Sequence, residues 1–333
     1  MTDQPNPGHP NPGHPNPGQP RPGQPNAPIS HELAIGCALA SVICVETGAA
    51  FGKGLFAIVP ALSVAWLRFV FATLVLVGLQ VVGAAVRGAR HQGPRSRTRL
   101  TRRTVLALAG YVIALVTMNT TFYLAIRTIP LGIAVTIEYL GPLAVAIIGS
   151  RGRLDLLWAA LAGLGVALLG FRPVSLDPVG LALVLVAACC WAGYIVLGAR
   201  ARQYWRGSDL VTIACASGAL VLALPAIHVA GDPLWTPGVL AMGLVVGVFS
   251  SVLPYRLDII ALGRISPNIF GILQALAPAA AALAGWILLG ELLGATDWVA
   301  LVAVAVASAG ATITSSARQH HRLGGSTPGH RPH

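Results

Sequence analysis

Between about residue 33 and residue 315 the chain is a succession of apolar runs separated by short, arginine-bearing connections, and this pattern limits the fold more than any other feature. Ten runs stand out, at about 33–52, 60–84, 104–126, 130–149, 154–171, 178–199, 209–230, 237–262, 267–289 and 296–315. Most are close to the roughly 20 residues that a helix needs to cross about 30 Å of hydrocarbon. Only 10% of residues are charged, against about 25% in soluble domains. An all-α membrane protein with ten transmembrane helices is therefore expected, with the lipid bilayer as its first partner.

The distribution of basic residues predicts the orientation. With the N-terminus in the cytoplasm, the even-numbered connections and both tails carry 17 Arg and Lys residues, and the opposite side carries three: Lys53, Arg127 and Arg172. Arg68 and Arg256 fall within runs. Cytoplasmic loops of membrane proteins are enriched in Lys and Arg, so both termini are expected in the cytoplasm of a cell (inner or plasma) membrane. The net charge of +11 then reads as an orientation signal, and no nucleic-acid partner is expected.

The runs also repeat. Residues 127–142, RTIPLGIAVTIEYLGP, and residues 264–278, RISPNIFGILQALAP, share an Arg-x-x-Pro opening, a polar residue (Glu138, Gln274) and a proline four places later (Pro142, Pro278). Two five-helix repeats follow, residues 33–171 and 178–315. Five is odd, so the second repeat enters the membrane inverted relative to the first. Inverted repeats with matching helix interruptions mark carriers whose substrate site lies between the halves. Residues 1–30 form a Pro/Gly/His-rich pentad tail with little to bury, and residues 316–333 a second tail; both are expected to be disordered and cytoplasmic. The tail histidines read as solvated.

An ionisable group at the centre of a membrane helix costs about 2.5–3.5 kcal/mol on insertion scales, so each one marks a functional candidate. At 1.5 Å per residue Glu46 lies roughly 20 Å from the inner face and Glu138 roughly 12 Å from the outer, nearly the same depth in a core about 30 Å thick. Arg68 enters from the outer side at a similar level. Two roles are open to it: a fixed ion pair with one glutamate that locks its helix, or a contact to a substrate carboxylate. Beside Glu138, the Gly141-Pro142 break frees carbonyls that suit a cavity wall. Arg256 and Asp258 sit near the cytoplasmic end of the eighth run, where Arg256 can snorkel and Asp258 is a candidate for an inner gate. Asn119, at the position equivalent to Arg256 in the third run, is a candidate hydrogen bonder in the cavity.

All five cysteines, Cys37, Cys44, Cys189, Cys190 and Cys215, fall in apolar runs and read as small buried hydrophobes, with neither a disulfide nor a metal spacing. No motif for a phosphate-cradling loop, a nucleophile elbow or a cofactor is present, and no enzyme is expected. Small residues recur at four-residue spacing in the fifth run (Ala159, Gly163, Ala167) and the tenth (Ala303, Ala307, Ala311). They allow close helix packing within the chain or, alternatively, a homodimer interface.

The stretches SVICVETGAAFGKGLF (41–56), Leu67-Arg68, IPLGIAVTIEYLGPLAVAIIGSR (129–151), CCWAGYIVLGAR (189–200), LPYRLDIIAL (253–262) and FGILQALAPAAAALAGWILLGE (270–291) resemble the EamA-domain branch of the drug/metabolite transporter superfamily. Within it they are most similar to inner-membrane threonine and homoserine exporters. The resemblance covers nearly all of residues 33–315 and implies a ten-helix carrier that exports small amino acids, driven by protons. It departs at Glu46 and Arg256, where the family more usually carries an amide and a small hydroxyl. A drug/metabolite or nucleotide-sugar carrier and a non-transporting sensor are the alternatives.

Overall fold

The computed structural model describes residues 31–88, 101–148, 153–169, 176–265 and 267–324. The Pro/Gly/His-rich tail, most of the arginine-rich connection at 89–100 and the last nine residues lie outside them. All regular structure among the described residues is helical. In chain order the helices are α1 (His31–Gly54), α2 (Ala61–Gly88), α3 (Arg102–Ala125), α4 (Leu131–Glu138), α5 (Leu140–Ile148), α6 (Arg153–Leu169), α7 (Pro178–Ala201), α8 (Gly207–Ala230), α9 (Pro237–Gly247), α10 (Leu253–Leu262), α11 (Pro267–Gln274), α12 (Ala277–Leu289) and α13 (Ala295–Gly324). Among the described residues, seven helical segments are long and apolar enough to cross a membrane, and Leu131–Val145 and Ala295–Gly310 are shorter apolar ones. Helix α13 runs on to Gly324, into the stretch expected as tail.

Local chemistry sets the helix ends. The Thr101 hydroxyl accepts from the Thr104 backbone N–H at 3.3 Å, and the Thr104 hydroxyl accepts from the Thr101 N–H at 2.9 Å, a reciprocal cap that starts α3. Asp177 caps α7 by accepting from the Val179 and Gly180 N–H groups, and it also accepts from the Thr128 hydroxyl at 2.8 Å. That hydroxyl and the Gly180 N–H hold the Asp177 carboxyl below its ordinary pKa. Helices α8 and α12 stop at Gly231 and Gly290, whose positive φ angles of 60° and 68° suit a residue without Cβ.

Apolar side chains face both ways. Leu220 and Leu224 of α8 are 79% and 83% exposed, and Ile113 and Ile287 also face outward, although each lies in an apolar helix. A helix that is hydrophobic all round belongs in lipid. The innermost element is α4, every residue of which is buried. It reaches that depth because Gly132 lies flat against α12: an added Cβ there would be 2.8 Å from the Ala282 Cα. Helices α6 and α13 pack within the chain through Ala162, Gly165, Ala300, Val304 and Ala307, while Gly163 is exposed with nothing within 4 Å of a would-be Cβ. The cysteines divide: Cys215 is buried, Cys189 is exposed and the others lie between. The expectation of uniform burial is corrected, because α7 turns Cys189 toward the lipid-facing side.

Three prolines break the helical ladder where the chain approaches its centre. Proline has no N–H, so the carbonyl four residues before it loses its helical donor. Pro142 thus leaves the Glu138 carbonyl without that partner, and α4 ends at Glu138; Pro278 does the same for Gln274, where α11 ends. Both helices are eight residues long. Pro254 frees the Ser250 carbonyl within a π-helical turn, Val248–Val252, that joins α9 to α10.

Candidate functional site

Two of the freed carbonyls, those of Gln274 and Ser250, are used by side chains from distant elements. The Tyr139 hydroxyl, at the α4–α5 break, donates to the Gln274 carbonyl at 2.6 Å, so the two interruptions are tied directly together. Arg68 of α2 donates through Nη2 to the Ser250 carbonyl at 2.9 Å and through Nε to the Ser251 hydroxyl at 3.2 Å. Its guanidinium carbon lies 5.6 Å from the centroid of the Tyr123 ring.

Arg68 and Tyr139 border a cavity of about 110 Å³. Helix α1 contributes Val45, Glu46 and Ala49, and α2 contributes Arg68. Met118, Asn119 and Phe122 of α3 form another wall; Val135, Glu138 and Tyr139 at the α4 break and Trp191 of α7 complete it. Glu46 and Glu138 are 5% and 8% exposed, and neither carboxylate accepts a hydrogen bond from a described residue. Trp191 stands edge-on to Tyr139, with ring centroids 4.8 Å apart. Asn119 is buried and donates through Nδ2 to the Leu115 carbonyl at 2.9 Å.

Four of the six residues expected at the site therefore line one cavity: Glu46, Arg68, Asn119 and Glu138. Arg256 and Asp258 do not. Arg256 is exposed, and half-buried Asp258 lies beside Ser41 of α1, its Oδ1 buried without a hydrogen-bond partner among the described residues. The fixed ion pair considered for Arg68 is corrected: among the described residues the one ion pair within 4.0 Å is elsewhere, and Arg68 is held by a backbone carbonyl and a hydroxyl of the π turn. A guanidinium offers five N–H donors, so after those two contacts Arg68 keeps donors for a ligand.

The cavity thus combines two acids, one guanidinium and apolar walls. Residues 178–313 match the EamA-like transporter family. The chain is 38% identical over 289 residues to the threonine/homoserine exporter RhtA of Escherichia coli (strain K12), covering 85% of this chain and 92% of the relative. The exporter of the same name from Salmonella typhimurium (strain LT2) is 38% identical over 283 residues, covering 83% and 90%. This chain belongs to the EamA-like transporter family.

As a member of the EamA-like family it is a multi-pass membrane transport protein and not an enzyme. A solved chain described as "Crystal structure of protein" superposes with a TM-score of 0.57 at 20% identity, covering 87% of this EamA-like chain and all of the solved one; the likeness is one of fold.

Sequence reasoning missed a second charged group in this EamA-like protein. Lys53, at the end of α1, pairs with Glu291, just after α12, and also donates to the Ile129 carbonyl at 2.8 Å. Glu291 accepts from the Leu131 N–H at 2.8 Å, capping α4. The signal was present: Lys53 is the one lysine in the chain, and Glu291 ends the ninth run on the side where Lys53 was expected. Tyr139 and Trp191 were missed because nothing in their local sequence sets them apart from ordinary packing aromatics.

Proposed function

We propose that this chain is a secondary active exporter of small amino acids, threonine- or homoserine-like, driven by proton antiport across the inner membrane. The observation that carries the reading is the cavity in which Glu46, Glu138 and Arg68 stand together without an ion pair. Arg68 offers a fork for the solute carboxylate, and the glutamates offer acceptors for its ammonium. The two acids and one guanidinium sum to minus one when both acids are charged. A single proton on either acid neutralises the empty site, and a zwitterion adds no net charge. Proton and ammonium then compete for the same carboxylate, which is the requirement for exchange.

The RhtA relatives, threonine/homoserine exporters by name, make threonine and homoserine the first solutes to test. The cavity, about 110 Å³, is well below the roughly 300–1,000 Å³ of drug-sized ligand sites, and this weighs against a drug or nucleotide-sugar cargo. We read the helices as ten spans in two inverted five-helix repeats, 33–171 and 178–315, with both termini cytoplasmic. The 17 to 3 basic asymmetry and the matching breaks at Glu138 and Gln274 support that reading. Such repeats exchange conformations and so move a central site from one face to the other.

Counterflow in proteoliposomes with a panel of amino acids is the direct test, and threonine and homoserine are expected to exchange. Glu138→Gln keeps shape but cannot titrate, so it is expected to exchange solute while losing uphill export driven by a pH gradient. Uphill export by Glu138→Gln at the parent rate would remove Glu138 as the coupling residue and leave Glu46 as the next candidate. A parent protein that exchanges no amino acid would sink the reading, and the sensor alternative would take its place.

A further inference from the structure

We infer that Asn119 selects for a hydroxyl on the solute's side chain by accepting its O–H at Oδ1. The inference rests on the amino-acid reading above and names the specificity-determining residue of the same cavity. The Asn119 amide is oriented by its own helix: Nδ2 donates to the Leu115 carbonyl at 2.9 Å, and a carbonyl cannot accept from Oδ1, so the oxygen must be the other arm. That oxygen accepts no hydrogen bond from a described residue. Nor is it an orphan sealed in the packing, as the Tyr123 and Ser250 hydroxyls are, and Asn119 lines the cavity.

The rest of the lining leaves a solute hydroxyl few places to donate. Glu46, Glu138 and Arg68 are engaged by the charged end of an amino acid. Tyr139 donates its O–H to the Gln274 carbonyl, which leaves its oxygen as the one other uncharged side-chain oxygen acceptor in the lining. The Trp191 indole has a donor and no acceptor, and Val45, Phe122 and Val135 are apolar. Without Asn119, a threonine or homoserine hydroxyl buried here finds only the Tyr139 oxygen or goes unpaired, which weakens its binding. With Asn119, the site is penalised instead when the solute lacks the hydroxyl, because the buried Oδ1 then goes unpaired. Sites built to hydrogen-bond a substrate hydroxyl discriminate far more strongly than apolar pockets do.

Valine is the matched probe, since it replaces the threonine hydroxyl by a methyl group at the same position; norvaline plays that part for homoserine. The full-length protein in proteoliposomes is expected to prefer threonine over valine by about tenfold or more in counterflow kcat/KM. Asn119→Leu and Asn119→Ala remove the acceptor and should bring that ratio close to one. Asn119→Thr should restore part of it, because a helical threonine donates to the carbonyl four residues back and leaves its oxygen open, as Thr120 does to Val116 at 2.7 Å. A ratio unchanged in whichever of the Leu and Ala variants folds overturns the inference and leaves the amino-acid reading standing. A parent that exchanges no amino acid overturns both, so the two failures are distinguishable. A structural role for Asn119 would lower both rates together without moving the ratio.

Discussion

Two groups of charges sit within the apolar part of this molecule, and they are treated differently. At one end of α1, Lys53 and Glu291 are 17% and 15% exposed and fully partnered, each with the other and with a backbone group at the start of α4. Two turns away on the same helix, Glu46 faces a cavity with Glu138 and Arg68, and no ion pair forms among them. The first group is a staple between α1, α4 and the end of α12. The second is held apart: Arg68 is anchored on a proline-freed carbonyl, so it does not collapse onto either acid. Charges that satisfy one another hold a fold together, and charges kept from doing so remain available to a ligand or a proton.

The largest effect should come from breaking the satisfied pair. Glu291→Ala leaves the Lys53 charge and the Leu131 N–H without their partner. Removing one member of a sealed pair costs about 3–5 kcal/mol; with its partial exposure this one is expected to cost about 2 kcal/mol, read as a lowered unfolding midpoint in detergent. A change below about 0.5 kcal/mol would mean that the pair is not a staple. Next comes Arg68→Lys, which keeps the charge but loses the fork and the two-point anchor on Ser250 and Ser251. About a tenfold weaker solute affinity is expected with coupling intact, measured by binding and by pH-driven export; loss of folded protein would make Arg68 a structural residue instead.

Glu138→Gln should change stability by less than about 1 kcal/mol, because no protein partner is lost. A destabilisation as large as that of Glu291→Ala would erase the distinction between the two groups. The smallest effect is expected at Asp177. Its carboxyl is held below the ordinary value by the Thr128 hydroxyl and the Gly180 N–H. Its contribution is therefore full above the unfolded carboxylate pKa, near about 3.9, and is lost as pH falls through the lower folded value. Asp177→Ala should lower the unfolding midpoint at neutral pH, and the difference should vanish in strong acid; a pH-independent difference would exclude the charged cap.

Much of the cavity lining was readable in the sequence. Glu46, Glu138, Arg68 and Asn119 were singled out because polar groups are rare and costly in apolar runs, and depth counting put the charged three at one level. Arg256 and Asp258 were singled out by the same reasoning and lie off the cavity lining, since depth alone does not say which way a helix faces. The prolines were visible as breaks, whereas the use made of the freed carbonyls was not.

The sequence by itself determined the class of the protein, its helical runs, the places where they are interrupted and the presence of charges where lipid would forbid them. Each of these follows from composition and covalent geometry acting over a few residues. Only the tertiary structure decided which charges meet. Arg68 reaches a carbonyl 182 residues away, Tyr139 one 135 residues away, and Lys53 a carboxylate beyond α12. Those pairings depend on the rotation of each helix about its axis, which is set by close approaches such as Gly132 on Ala282. A hundred degrees per residue along a helix leaves that rotation open until a neighbouring helix packs against it.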